Sequence, residues 1–200
     1  MTDVTVDVDL LRSEIEKTYT EVSTEPAKEF IFPTGRSWAE DLGYPQPELS
    51  RLPEATVESF AGVANPHSLG RIEGGATVLD LGCGAGTDLL IAAQMVGPSG
   101  KVIGVDMTPS MLARARASAE EMGLANVELH ESLIESLPVP DASVDVVISN
   151  GVIDLVPDKD AVFDEIDRVL RPGGRLQIAD VVIHTEVSED ARDRIDLWTG

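Results

Sequence analysis

Positive charge is scarce in this sequence. Fifteen Lys and Arg stand against 36 Asp and Glu in 200 residues, a formal net charge of −21, and only Lys17, Lys28, Lys101 and Lys159 are lysine. Nucleic acid and anionic membrane surfaces both demand a basic footprint, so neither is expected as a partner. An acidic, lysine-poor surface would also suit a salty cytoplasm. A single cysteine, Cys83, excludes an internal disulfide and fits a reducing compartment. No apolar run reaches the roughly 20 residues that span a bilayer. The opening stretch to Asp9 is acidic rather than apolar, so no signal peptide is read there and a cytoplasmic location is expected. His67, His130 and His184 stand far apart without metal-ligand spacing, and no metal is expected. Repeats and low-complexity tracts are absent.

What is present is enough for one globular core, since 42% of the residues are apolar and 200 residues are too few for two ordinary domains. A helix is expected from Asp9, because Leu11, Ile15, Tyr19 and Val22 recur at spacings that share one face. Seven prolines and glycines between residues 24 and 53 interrupt regular structure. Phe30, Phe32, Trp38 and Tyr44 lie in that same stretch, which must therefore pack, either as a satellite core or as a lid. A short helix over 54–60 and the turn Gly62-Val63-Ala64-Asn65-Pro66 follow. Residues 1–66 read as a helical and irregular N-terminal cap, and residues 67–200 as the core.

From Thr77 onward strands and helices alternate. Strands are expected over 77–81, 101–105, 127–130, 144–149 and 175–182. Helices are expected over 87–96, from Thr108 as cap with Pro109 at its first position, over 159–170, and over 188–198. The second helix has Met111, Leu112, Ala115, Ala119 and Met122 as its buried stripe and Gly123 as its stop. The third turns Val162, Phe163, Ile166, Val169 and Leu170 inward, and Pro172-Gly173-Gly174 makes a hard turn after it. Alternating βα units predict an α/β fold, a doubly wound parallel sheet.

The organising stretch is Val78-Leu79-Asp80-Leu81-Gly82-Cys83-Gly84-Ala85-Gly86-Thr87-Asp88, a buried strand that runs through a glycine-rich turn into a helix. The spacing Gly82-x-Gly84-x-Gly86 is one residue tighter than the dinucleotide pattern and no Gly-Lys-Ser/Thr follows. A NAD-dependent oxidoreductase is thereby disfavoured, though it stays as one alternative. Asp80 and Asp106 fall at strand carboxyl ends, where open α/β sheets bind ligands. Asp106 offers two acceptor oxygens to a ribose diol. Met107 could lie on one face of an adenine, and Leu133 and Ile134 on the other, unless they simply fill core.

Asp80-Leu81-Gly82-Cys83-Gly84-Ala85-Gly86 resembles the first motif of class I S-adenosylmethionine-dependent methyltransferases. The resemblance implies a Rossmann-like sheet of order 3-2-1-4-5 with S-adenosylmethionine as cofactor. The cofactor-binding residues it implies are Asp80, Gly82, Cys83, Gly84, Gly86, Asp88, Asp106, Met107, Leu133, Ile134 and Asn150, the last toward the methionine end or the substrate. A sulfonium methyl is already electrophilic, so alignment and water exclusion suffice and no general base is required.

Ser149-Asn150-Gly151-Val152-Ile153-Asp154-Leu155 is similar to the fourth-strand motif of arsenite methyltransferases, Ser-Asn-Cys-Val-Ile-Asn-Leu. Gly104-Val105-Asp106-Met107-Thr108-Pro109-Ser110-Met111 and Arg168-Val169-Leu170-Arg171-Pro172-Gly173-Gly174 fit that group too. Those enzymes hold trivalent arsenic through thiolates, as a soft centre requires. Here the fourth-strand cysteine is Gly151 and the cysteine of the earlier turn is Val63. A small-molecule acceptor other than arsenite is therefore expected, neutral or cationic by preference. The class adds two strands after the fifth, and none is read here. That absence would leave the fifth strand as an exposed edge through which copies could associate. It also keeps a non-catalytic cofactor-binding module as a second alternative.

Overall fold

The computed structural model describes residues 6–184 and Trp198. Five strands form one sheet: β1 (Thr77–Leu81), β2 (Lys101–Asp106), β3 (Val127–Glu131), β4 (Val144–Asn150) and β5 (Leu170–Ala179). All four pairings are parallel and the order is β3-β2-β1-β4-β5. The expected Rossmann-like order 3-2-1-4-5 is what the chain adopts.

Alternation along each strand divides the core. Leu79, Leu81, Ile103, Val105 and Val147 face α7 (Lys159–Val169), which buries Val162, Ile166 and Val169 on them. Val78, Val102, Val146 and Ile148 face the other way, against Leu89, Ala92, Ala93 and Val96 of α5 (Thr87–Val96) and Leu112 and Ala115 of α6 (Pro109–Glu121). Side chains of period two on strands covered on both faces explain why these segments read as almost continuous apolar runs.

α1 (Val8–Thr24) starts where Asp7 Oδ1 accepts from the Leu10 amide at 3.1 Å, an ordinary N-cap. Leu11, Ile15 and Val22 are buried as their spacing predicts, and Tyr19 is partly buried beside them. The proline-rich stretch contains two helices that its composition concealed, α2 (Gly35–Asp41) and α3 (Gln46–Leu49). α4 (Glu54–Val57) is shorter than expected. The aromatic residues divide between two clusters. Tyr44 packs edge-on against Phe60 at 5.1 Å, and with Trp38 it joins Leu90, Ile91 and Ala119. Phe30 and Phe32 stack in line with Tyr19 over Val22, Ala85 and Met111.

Several local expectations are corrected. Thr108 holds the N-cap position of α6, but its side chain makes no capping hydrogen bond; its amide donates to Asp106 instead, at 2.8 Å. Phe163 points outward, 45% exposed, because it lies one residue past Val162, about 100° round α7 from the sheet-facing stripe. Helix α7 stops at Val169, and Leu170 already pairs with Val144. Between the pairs Leu170–Val144 and Arg175–Val146 the residues Arg171 to Gly174 stand against Asp145 alone, and Gly173 at φ +83° makes the expected tight turn there, as a bulge within β5 rather than ahead of it. β5 ends at Ala179, three residues early, where the Asp180 carboxylate takes the Val181 and Ile153 amides. The helix expected over 188–198 lies, Trp198 apart, outside the described residues. Among the described residues no helix is long and apolar enough to cross a membrane.

Candidate functional site

The carboxyl ends of β1, β2 and β4 open into a cleft of about 1020 Å³ that is continuous with solvent. Its floor is the glycine turn between β1 and α5. A Cβ on Gly82 would collide with Val152, so this residue is small for packing. Gly84, at φ +52°, has nothing closer to such a Cβ than Met111 Sδ at 4.0 Å. The space above Gly84 belongs to the cleft, and the left-handed backbone there is one that L side chains resist. Gly86 does not line the cleft; its missing side chain lets α6 approach, with Ala115 Cβ 3.1 Å from where a Cβ would sit. The other ten expected cofactor-binding residues all do.

Asp106, 9% exposed, is held from both sides. Its Oδ2 accepts from the Gly84 amide and its Oδ1 from the Thr108 amide, each at 2.8 Å. Burial pushes its pKa up, and the two amides oppose that by favouring the anion. Asp80 is only 2% exposed, and its Oδ2 is buried without a partner. Burial and then the nearby charges of Asp88 and Asp106 hold its pKa well above the usual carboxylate range. An unpaired buried oxygen of this kind costs stability unless something arrives to pair it.

Asp88 and Asn150 belong to a network that reaches back to the N-terminal segment. Tyr44 donates to Asp88 Oδ1 at 2.6 Å, and Asn150 Nδ2 donates to Asp88 Oδ2 at 2.9 Å. Asn150 Nδ2 also approaches the Tyr44 hydroxyl at 3.0 Å and the Ala64 carbonyl at 2.8 Å. Asn150 Oδ1 accepts from the Val63 and Ala64 amides at 2.8 and 3.2 Å. Its amide is thus committed to the protein on both sides, although the residue lines the cleft. His67, which the sequence presents as isolated, turns its ring inward with Nε2 3.1 Å from Asp88 Oδ1, close enough to pair as charges though not aligned as a hydrogen bond. Burial and the Asp88 charge push the Tyr44 phenol far up. Tyr44 and His67 carried no periodic or spacing signal, since both act on partners more than 20 residues away.

The walls are largely apolar. Met107 packs with Leu11, Ile15 and Leu155, Leu133 is half-buried, and Ile134 faces the cleft while also belonging to the sheet core. The Cys83 thiol is 7% exposed, and burial, then Asp106 and Asp80, push its pKa well up, so it is neutral. Gly151, at φ +68°, would place a Cβ 3.1 Å from Val63 Cγ1. The two positions where the resemblance expects cysteines are thus in contact and carry no sulfur. Sequence reasoning missed the contribution of α1, which supplies Arg12, Ile15 and Tyr19 to the cleft. The stripe on α1 was legible, but not what it faced. Among the described residues no cluster of His, Cys, Asp and Glu could hold a metal ion.

The family profile described as a methyltransferase domain matches residues 72–199. The chain is 46% identical over 167 residues to the arsenite methyltransferase of Halobacterium salinarum, covering 84% of this chain and 42% of that protein. It is 43% identical over 156 residues to the arsenite methyltransferase of Aquipseudomonas alcaligenes, covering 74% of this chain and 44% of that protein. Among solved structures it is similar to an arsenic(III) S-adenosylmethionine methyltransferase from Chlamydomonas reinhardtii, 34% identical with a TM-score of 0.61, over 80% of this chain and 53% of that one. The chain spans less than half the length of these two curated relatives. The match over residues 72–199 shows that the chain belongs to the methyltransferase domain family, and within it the chain is similar to arsenite methyltransferases.

Proposed function

We propose that this chain holds the S-adenosylmethionine site of a methyltransferase whose acceptor is a small molecule other than arsenite. The observation that carries the reading is Asp106. Its two oxygens are each fixed by a backbone amide, and a carboxylate so fixed keeps further lone pairs for a vicinal diol. In this reading Asp106 takes the ribose hydroxyls, while Met107, Leu133 and Ile134 enclose the adenine. The backbone of Gly82, Cys83 and Gly84 borders the amino-acid end, where Asp80 offers its unpaired oxygen to the cofactor's positive charge. Asp88 and Asn150 shape that end through the network with Tyr44 rather than through free polar atoms.

Bound there, the cofactor supplies an electrophilic sulfonium methyl. The chain's own contribution is to orient and to exclude water. α1 and residues 59–62, both within the cap read over residues 1–66, cover the cleft of the core read over residues 67–200. Val63 and Gly151 leave the acceptor side without thiolates, and the single neutral, buried thiol of Cys83 is no substitute. The excess of acid favours a neutral or cationic acceptor. The same reading places the protein in the cytoplasm, with self-association along β5 supported by its position at the sheet edge.

Calorimetric titration with S-adenosylhomocysteine tests this, with NAD as control. The parent chain binds with micromolar affinity, Asp106→Ala loses at least about tenfold, and NAD gives no heat. Equal affinity in the variant, or NAD binding, overturns the reading.

A further inference from the structure

We propose that the ion pair between Arg12 and Glu135 latches α1 over the purine end of the cleft and governs how fast the cofactor leaves. This rests on reading the cleft as the cofactor site. Arg12 Nη2 lies 3.0 Å from Glu135 Oε1, joining residues 123 positions apart. Both line the cleft, and Arg12 is the only Lys or Arg among the described residues that does. The pair is partly withdrawn from water, with side chains 34% and 14% exposed.

The rest of α1 is fixed at its other end. Ser23, 1% exposed, donates to Ser110 Oγ at 2.8 Å, and Ser110 donates to Thr20 Oγ1 at 3.4 Å. These bonds seat the last turn of α1 on the first turn of α6. On either side of Arg12, Leu11 and Ile15 rest on Met107 and Leu155, and farther along Tyr19 faces the cleft. The helix is therefore held by the Ser23, Ser110 and Thr20 hydroxyls at its last turn, and over the cleft by this apolar contact together with one ion pair, Arg12–Glu135. Glu135 follows Leu133 and Ile134 directly, so the pair closes the side where the adenine is placed.

The charge pattern argues that Arg12 acts on the protein rather than on the ligand. The cleft is lined by Asp80, Asp88 and Asp106, which suits a cationic ligand, and an unpaired guanidinium there would repel one. Neutralised by Glu135, Arg12 adds no net charge and serves as a tie. It is a positioning residue.

The test follows dissociation of S-adenosylhomocysteine by stopped flow from the parent, Arg12→Ala, Glu135→Ala, the charge swap Arg12→Glu/Glu135→Arg, and Asp106→Ala as reference. Each single variant releases ligand about threefold to fivefold faster, the size expected of a partly buried pair. The swap returns to within about twofold of the parent, which lost packing or a perturbed fold would not do. In about 1 M salt the advantage of the parent shrinks, as screening of the pair requires. Unchanged release in both single variants, or no recovery in the swap at an unchanged melting temperature, overturns the latch alone. A parent that binds no S-adenosylhomocysteine overturns the cofactor reading and the latch with it.

Discussion

Asn150 Nδ2 donates to Asp88 Oδ2 at 2.9 Å, tying the end of β4 to the first turn of α5. The same side chain accepts from two amides of the segment that precedes the core. Asn150→Ala leaves those amides and the Asp88 carboxylate short of partners, at a cost of about 2–3 kcal/mol. A chain of this size should then melt about 5–10 °C lower. Thermal unfolding followed by circular dichroism checks this. A loss below about 0.5 kcal/mol would mean water replaces the amide freely.

Gly82 and Gly84 should separate stability from binding. Alanine at 82 meets Val152 inside the core as well as a left-handed φ of +62°. That combination should cost about 3 kcal/mol or more. Alanine at 84 has room and costs only the backbone strain, about 1–2 kcal/mol, but its methyl projects into the cleft. Gly84→Ala should therefore stay folded and bind S-adenosylhomocysteine at least about tenfold more weakly. Paired urea denaturation and calorimetry measure both quantities for each variant.

Asp154 gives a pH dependence with a definite sign. Burial first, and then the adjacent Asp180 carboxyl, push its pKa up to about 7. The unfolded carboxyl titrates near 4, so between about pH 4 and pH 7 the native state binds more protons than the unfolded one. Stability contributed by this group is present below pH 4 and is lost as pH rises toward 7. Asp154→Asn restores the residue of the arsenite methyltransferase motif and removes the titration. At pH 8 the variant should be more stable than the parent by about 1–3 kcal/mol, and the two should converge near pH 4. Urea midpoints across that range decide it.

Trivalent arsenic should not be retained. Val63 and Gly151 touch where two thiols would be needed, and Cys83 is buried and neutral. Equilibrium dialysis with arsenite should leave less than about 0.1 equivalent bound, because a lone neutral thiol is a poor ligand for a soft centre. Stoichiometric retention would reopen arsenite as the acceptor.

The parts of the fold legible in the sequence are those written by local periodicity. Leu79 and Leu81 alternate with Val78 and Asp80, Pro109 starts α6, and the glycine turn marks the crossing from β1 to α5. Each signal lies within a few residues of its effect. The turn that Pro172-Gly173-Gly174 announces is there, but β5 begins before it, because Leu170 already pairs with Val144 and no composition signal marks that single contact. Phe163 was misplaced because an apolar residue one position off the stripe looks the same in sequence. The link of Tyr44 and His67 to Asp88 and the crossing of α1 over the cleft depend on tertiary contacts that no window of residues encodes.

The Asn150 network also bears on how the molecule assembles. Its bonds to Ala64 and Tyr44 span 86 and 106 residues of chain. They can form only after β4 has settled beside β1, and contacts of such separation come late because chain closure must precede them. The wall of the cleft is thus a product of finished topology. Occupancy of the cleft would report assembled topology rather than local structure, and a nascent chain that has not yet emerged past Asn150 has no complete pocket to offer.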